Sequence, residues 1–188
     1  MAGVTNCLSG ITLHGNTDPV ILEEAWRAKF NRSPTDEEAR AVLKEYTSCL
    51  EKELASPNAM TLIPNVKEAL TRIIEKGFGV GLATGNIETG ARIKLEAVGL
   101  WDFFKFGGYG SDSHDRAELI QIAIERARAR MYCDFPEVWV VGDTPKDIEG
   151  AHRAGVKAIG VATGTYSVES LKKAGAEIVY PTLKTFHP

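Results

Sequence analysis

From residue 18 onward the apolar positions return every three or four residues. Ile21, Leu22, Ala25, Trp26 and Phe30 share one side of a first predicted helix, with Asp18 as its cap and Pro19 at its first position. Residues 31–34 break that helix. Thr35 opens a second one with Glu38 three residues on, a reciprocal pair in which hydroxyl and carboxylate each accept an unpaired backbone N–H. Ala39, Val42, Leu43, Tyr46, Leu50 and Leu54 continue at helical spacing, and residues 56–58 close the segment. The pattern predicts a two-helix hairpin with an apolar seam.

After residue 64 the spacing changes. Helices predicted over 65–76, 87–98, 116–131, 146–154 and 168–174 alternate with short runs rich in valine and glycine over 78–83, 106–109, 137–141, 158–162 and 177–180, which read as strands. Gly77, Gly99, Gly155 and Gly175 follow four of the helices, at the place where a left-handed residue ends a helix. Strands and helices alternating at these lengths imply right-handed crossovers and a parallel sheet. The expected architecture is α/β, with a Rossmann-like core over 61–188, a helical unit over 17–60 and a leading segment over 1–16.

Composition adds exclusions. A chain of 188 residues with 44% hydrophobic and 25% charged residues suits one ordered domain with a small insertion. The 25 acidic and 22 basic residues give a net charge of −3, so a broad basic face for nucleic acid is not expected. No apolar stretch reaches membrane-spanning length, and no basic-then-apolar leader pattern opens the chain. Cys7, Cys49 and Cys133 are scattered, with no C-x-x-C, which speaks against zinc and disulfides and for a cytoplasmic setting.

In open parallel sheets ligands bind at the carboxyl ends of the strands, and three predicted strand exits carry polar residues. Thr84-Gly85-Asn86 leads from one strand into a helix N-terminus, where a hydroxyl, unpaired N–H groups and the positive helix end suit a phosphate. Asp143 ends a hydrophobic strand and Asp147 lies four residues on, in the first helical turn. Together they can share one hard cation, for which Mg²⁺ is the natural candidate. Arg116 starts the helix after the polar loop 110–115, where its guanidinium can bind phosphate oxygens. Helix capping by Thr84, Asn86 and Asp147, and an exposed Arg116 near Asp112 and Asp115, remain the structural alternatives. The glycines Gly79, Gly81 and Gly85 do not have dinucleotide-fingerprint spacing, and the first two fall within the predicted strand.

In this order the signals resemble the haloacid dehalogenase superfamily, and within it phosphatases of the phosphoglycolate-phosphatase kind with an inserted helical cap. The resemblance spans nearly the whole chain. It is strengthened by Gly15-Asn16-Thr17-Asp18-Pro19 and Ala91-Arg92-Ile93-Lys94-Leu95-Glu96. It implies that Thr84 binds the transferring phosphoryl group, that Arg116 stands where relatives use lysine or arginine, and that Asp143 and Asp147 hold Mg²⁺. It also implies a small phosphorylated metabolite as substrate. The family's nucleophilic motif, Asp-x-Asp at the end of the first strand, occurs nowhere in the chain.

About 25–30 residues of the family pattern are therefore expected to be missing, judged from the length of one strand, a loop and a helix. The missing strand is central in the family, so the sheet is expected to lack it. Residues 4–13 are a poor substitute because of Asn6 and Gly10. The chain as it stands is expected to be inactive, and an open sheet favours a homodimer. The alternatives are a non-catalytic phosphate- and Mg²⁺-binding or interaction protein, and, less well supported, an unrelated nucleotide binder.

Overall fold

The computed structural model describes residues 11, 15–56, 59–132 and 134–187. Residues 4–13, weighed above as a substitute strand, lie almost wholly outside these. Seven α-helices and five short parallel strands form among the described residues. The order is α1 (Asp18–Phe30), α2 (Asp36–Leu54), α3 (Val66–Glu75), β1 (Leu82–Thr84), α4 (Glu88–Ala97), β2 (Gly107–Tyr109), α5 (Arg116–Met131), β3 (Trp139–Gly142), α6 (Pro145–Arg153), β4 (Lys157–Val161), α7 (Val168–Lys173) and β5 (Ile178–Tyr180).

The α/β class and the parallel pairing are as expected, and the sheet is in two pieces. Strand β1 pairs with β2, while β3, β4 and β5 form a separate ladder. Between β1 and β3 the described residues supply no strand. The consequence is visible in the burial: Val141 of β3 is 46% exposed, where an inner strand of an α/β sheet would be covered on both faces. The strand expected over 78–83 is reduced to Leu82–Thr84, and Phe78 is 53% exposed. Gly79 and Gly81 thus precede the strand rather than lie within it. They offer no side chain to pack, and a strand with one partner gains little from extending through them.

The larger piece has a complete layer on each face. Ile159 and Val161 of β4 pack with Ala69 of α3 and Phe186 near the C-terminus. The alternate residue Ala158 packs with Ile148 and Ala151 of α6 and Leu171 of α7. This is the two-residue period of a strand buried on both sides. Arg72 of α3 donates to the carbonyls of Leu183 and Phe186, fastening the C-terminal segment to that face.

Helix α5 spans the split. It packs on β1 and β2 on one side and on α6 on the other. Its approach to β2 is backbone to backbone, since a Cβ on Gly108 would lie 2.0 Å from the Leu119 carbonyl oxygen.

The two-helix hairpin is corrected in one respect. Both helices form, yet neither contains a buried residue, and α2 packs mainly against α4. Phe30 and Val42, placed on the expected seam, are 50% and 40% exposed. A polar network shapes the connection. Ser33 joins Glu23 and Arg27 of α1, while Arg32 reaches Glu38 of α2. The capping pair of Thr35 and Glu38 is present as expected. Arg32 first, and the Thr35 N–H second, pull the Glu38 carboxyl down to about 2. A depressed carboxyl stabilises the folded state above the unfolded carboxylate range, and that contribution is lost as pH falls toward 2. Carbon-detected titration of Glu38 should therefore show a midpoint well below that of an unpaired glutamate, returning toward normal in Arg32→Ala.

Candidate active site

Thr84 ends β1, and its hydroxyl accepts the Asn86 N–H at 3.2 Å. The Asn86 carbonyl accepts the Gly110 N–H at 2.8 Å, which ties together the loops leaving β1 and β2. Glycine at 110 permits that approach, since a Cβ there would lie 2.0 Å from the Gly85 carbonyl oxygen, while a Cβ on Gly85 would lie 2.7 Å from the Asn16 carbonyl oxygen.

The segment 15–18 lies across this point. The Asp18 N–H donates to the Gly85 carbonyl at 2.8 Å, and Lys146 at the start of α6 donates to the Asn16 side chain at 3.0 Å. The segment therefore links the exit of β1 to the helix that follows β3. Thr17 is 3% exposed, and its hydroxyl has no hydrogen-bond partner among the described residues.

Asp18 differs from its expected role. Thr17 occupies the N-cap position of α1, and Asp18 is the first helical residue. Its carboxylate instead accepts the Ile87 N–H at 2.9 Å and an Asn86 amide N–H at 3.4 Å, so it caps α4, seventy residues away in the chain. Burial pushes this carboxyl up, opposed by the Ile87 N–H and the charge of Lys94. Lys94 in turn donates to the Asn86 side-chain oxygen at 2.8 Å. The Thr-Asp pair in the 15–19 segment was the sequence signal for this contact, although nothing in sequence spacing identified α4 as its partner.

Arg116 meets Asp147 at 3.0 Å, with both side chains largely covered, at 19% and 15% exposure. Its stem lies against Gly150 of α6, where a Cβ would come within 2.9 Å. The exposed-arginine alternative is thereby excluded. The acids closest in sequence belong to other arginines: Asp112 to Arg126 at 2.7 Å and Asp115 to Arg153 at 2.5 Å. These pairings hold both carboxyls below the ordinary range, the bonded guanidinium being the first cause in each case.

Asp147 also forms the capping pair with Thr144, its second carboxylate oxygen accepting the Thr144 hydroxyl at 2.8 Å. Asp143, just before Thr144, faces the loop after β4. A Cβ on Gly164 would lie 2.1 Å from its carboxylate oxygen, and one on Gly142 would lie 2.7 Å from that of Asp147. Both carboxylates thus sit in places that only glycine leaves open. Asp143 and Asp147 are hard oxygen donors of the type that hold Mg²⁺, and both oxygens of Asp147 are taken here by Arg116 and Thr144. Among the described residues no cluster of three or more His, Cys, Asp or Glu side chains suits a metal.

The structure thus brings Arg116 and Asp147 into contact and gathers Thr84, Gly85 and Asn86 with Asp18. These groups stand at helix starts that follow parallel strands, where α/β sheets bind ligands. A family model described as haloacid dehalogenase-like hydrolase matches residues 20–161. A protein of Dickeya dadantii named Probable phosphatase IndB is 28% identical over 86% of this chain and 70% of its own length. The phosphoglycolate phosphatase of Haemophilus influenzae is 28% identical over 82% of this chain and 69% of its own. The crystal structure of a hydrolase from Pseudomonas syringae shares the fold, with a TM-score of 0.66 at 23% identity, covering 90% of this chain and 75% of that one. With three-quarters of its length matched by one family model, the chain belongs to the haloacid dehalogenase-like hydrolases.

Proposed function

We propose that the chain carries the phosphoryl-binding and metal-holding residues of a phosphomonoesterase for small phosphorylated metabolites, of the phosphoglycolate-phosphatase kind. We propose also that residues 1–188 by themselves bind such an ester without cleaving it. The observation that carries this reading is the covered Arg116–Asp147 contact, which joins the helix starts after β2 and β3. In this reading the Thr84 hydroxyl donates to a phosphoryl oxygen and Arg116 supplies a fixed guanidinium, while the N–H groups of Asn86, Ile87 and Glu88 at the start of α4 are already taken by Thr84, Asp18 and Ser111. Asp147 orients Arg116. Asp143 and Asp147 would hold Mg²⁺, which supplies charge neutralisation at the phosphoryl oxygens.

Residues 17–60 serve as the cap that covers the ester and selects its leaving group. They pack lightly on the core, as a closing element must. The scattered cysteines suit the cytoplasm, and the edges of β1 and β3 that no described residue pairs favour self-association.

Two ligands that act together should be visible as stabilisation. Inorganic phosphate with Mg²⁺ is expected to raise the melting midpoint more than either alone, because a ligand of the native state stabilises it by mass action. Arg116→Ala should weaken the phosphate effect by roughly tenfold in concentration, the scale of a charge-assisted hydrogen bond. Asp143→Asn should abolish the Mg²⁺ contribution. A midpoint unmoved by phosphate and Mg²⁺ together, with the chain folded, overturns the proposal. The second reading, a binding protein with no catalytic counterpart, is favoured by the lack of any Asp-x-Asp. It predicts the same stabilisation, but no activity when such a strand is added.

A further inference from the structure

Among the described residues strand β2 has a partner on one side only, and a side chain caps its other edge. Arg126 of α5 donates to the Gly107 carbonyl at 2.6 Å and grips both carboxylate oxygens of Asp112, which itself accepts the Tyr109 N–H. The guanidinium carbon stands 5.9 Å from the centre of the Tyr109 ring. Beside this clasp lies a cleft of about 910 Å³, set between β2, the single helical turn Trp101–Phe103 and the last two turns of α5.

Aromatic faces and cations line it together: Trp101, Phe104 and Tyr132 with Lys105, Arg126 and Arg130. Glu88 is the one carboxylate in the lining. Arg126 is neutralised by Asp112, whereas the side chains of Lys105 and Arg130 make no ion pair among the described residues. The unbalanced charge of the cleft is positive. Tyr132 follows α5 in the left-handed conformation, and the residue is 94% exposed.

From this juxtaposition we infer a second binding site, one that takes a nucleoside phosphate. The flat base stacks on Trp101 or Tyr132, and the phosphate meets Lys105 and Arg130. The volume is within the ordinary range of small-molecule sites. Aromatic rings beside unpaired cations recognise a ring and an anion on one molecule, which inorganic phosphate or a neutral nucleoside supplies only in part. The inference is independent of the strand-end site, since none of its residues is Thr84, Arg116, Asp143 or Asp147.

Calorimetric titration with AMP, adenosine and inorganic phosphate tests it on the full chain. AMP is expected to bind saturably, and at least about tenfold more tightly than adenosine, as the loss of a paired charge dictates. Tyr132→Ala, at an exposed position, should weaken AMP by roughly tenfold, the scale of one base stacked on a ring. In an Arg116→Ala background, which takes out the strand-end phosphate site, Lys105→Glu with Arg130→Glu should abolish the remaining AMP binding while leaving the melting midpoint in place. Absence of AMP binding overturns the inference. So does AMP binding that survives the Lys105 and Arg130 changes but is lost with Arg116, which would place the nucleotide at the strand ends.

Discussion

Incubated with p-nitrophenyl phosphate and Mg²⁺, the chain should release p-nitrophenol no faster than buffer. Cleavage through a covalent phosphoenzyme needs a carboxylate positioned as nucleophile. In the proposed reading Thr84, Arg116 and a metal held by Asp143 and Asp147 would stabilise charge without forming that bond. Loss of a nucleophile from a hydrolase costs on the order of 10⁶ in kcat, far below detection for a slow reaction such as monoester hydrolysis. A chain preceded by a strand ending in Asp-x-Asp should turn over the ester, and EDTA should stop it. Turnover by the present chain that disappears in Asp143→Asn would refute this account. It would mean that a carboxylate already present in the chain does the attacking.

The second large effect is on stability. Gly108→Ala should destabilise the protein by about 3 kcal/mol, at the upper end of the cost of overpacking. The melting midpoint would fall by roughly 6–12 °C for a chain of this size. The new Cβ would stand 2.0 Å from the Leu119 carbonyl oxygen, so α5 must move away from β2, and α5 is the element holding the two sheet pieces together. Gly81→Ala is the control. Its Cβ would first meet the Phe106 ring, which is not fully buried and can turn aside, so the cost should stay below about 1 kcal/mol. Equal midpoints for the two variants, read by circular dichroism, would show that the backbone contact at Gly108 does not limit stability.

The helices were the most legible part of the chain. Helix α5 runs over Arg116–Met131 as its spacing predicted, and other helix ends differ by a residue or two. An amphipathic period and a following glycine act locally, so a single sequence displays them. Strands were less legible at their starts. Residues 78–81 have strand-like composition but no second partner among the described residues, and whether a strand extends depends on its neighbours in space.

The candidate site divides in the same way. Thr84, Asp143 and Arg116 were readable as polar residues at strand exits, because the βα alternation dictates which end of the sheet they occupy. Their partners were not. Arg116 has Asp112 and Asp115 within four residues, yet it meets Asp147. Sequence distance says nothing about the packing of α5 on α6 over Gly150 that decides the pairing. Asp18 likewise caps α4 rather than its own helix, because the 15–18 segment is drawn onto the Gly85 backbone.

By itself, then, the sequence determined the α/β class, the helix registers, the strand-end location of the polar residues and the lack of an Asp-x-Asp, all of which follow from local pattern. The tertiary structure decided that the sheet of the described residues stands in two pieces bridged by α5, that Arg116 belongs to Asp147, and that aromatic and cationic residues converge beside β2. Each of these depends on which surfaces meet across long stretches of chain, and close packing of helix on strand and helix on helix is what selects them.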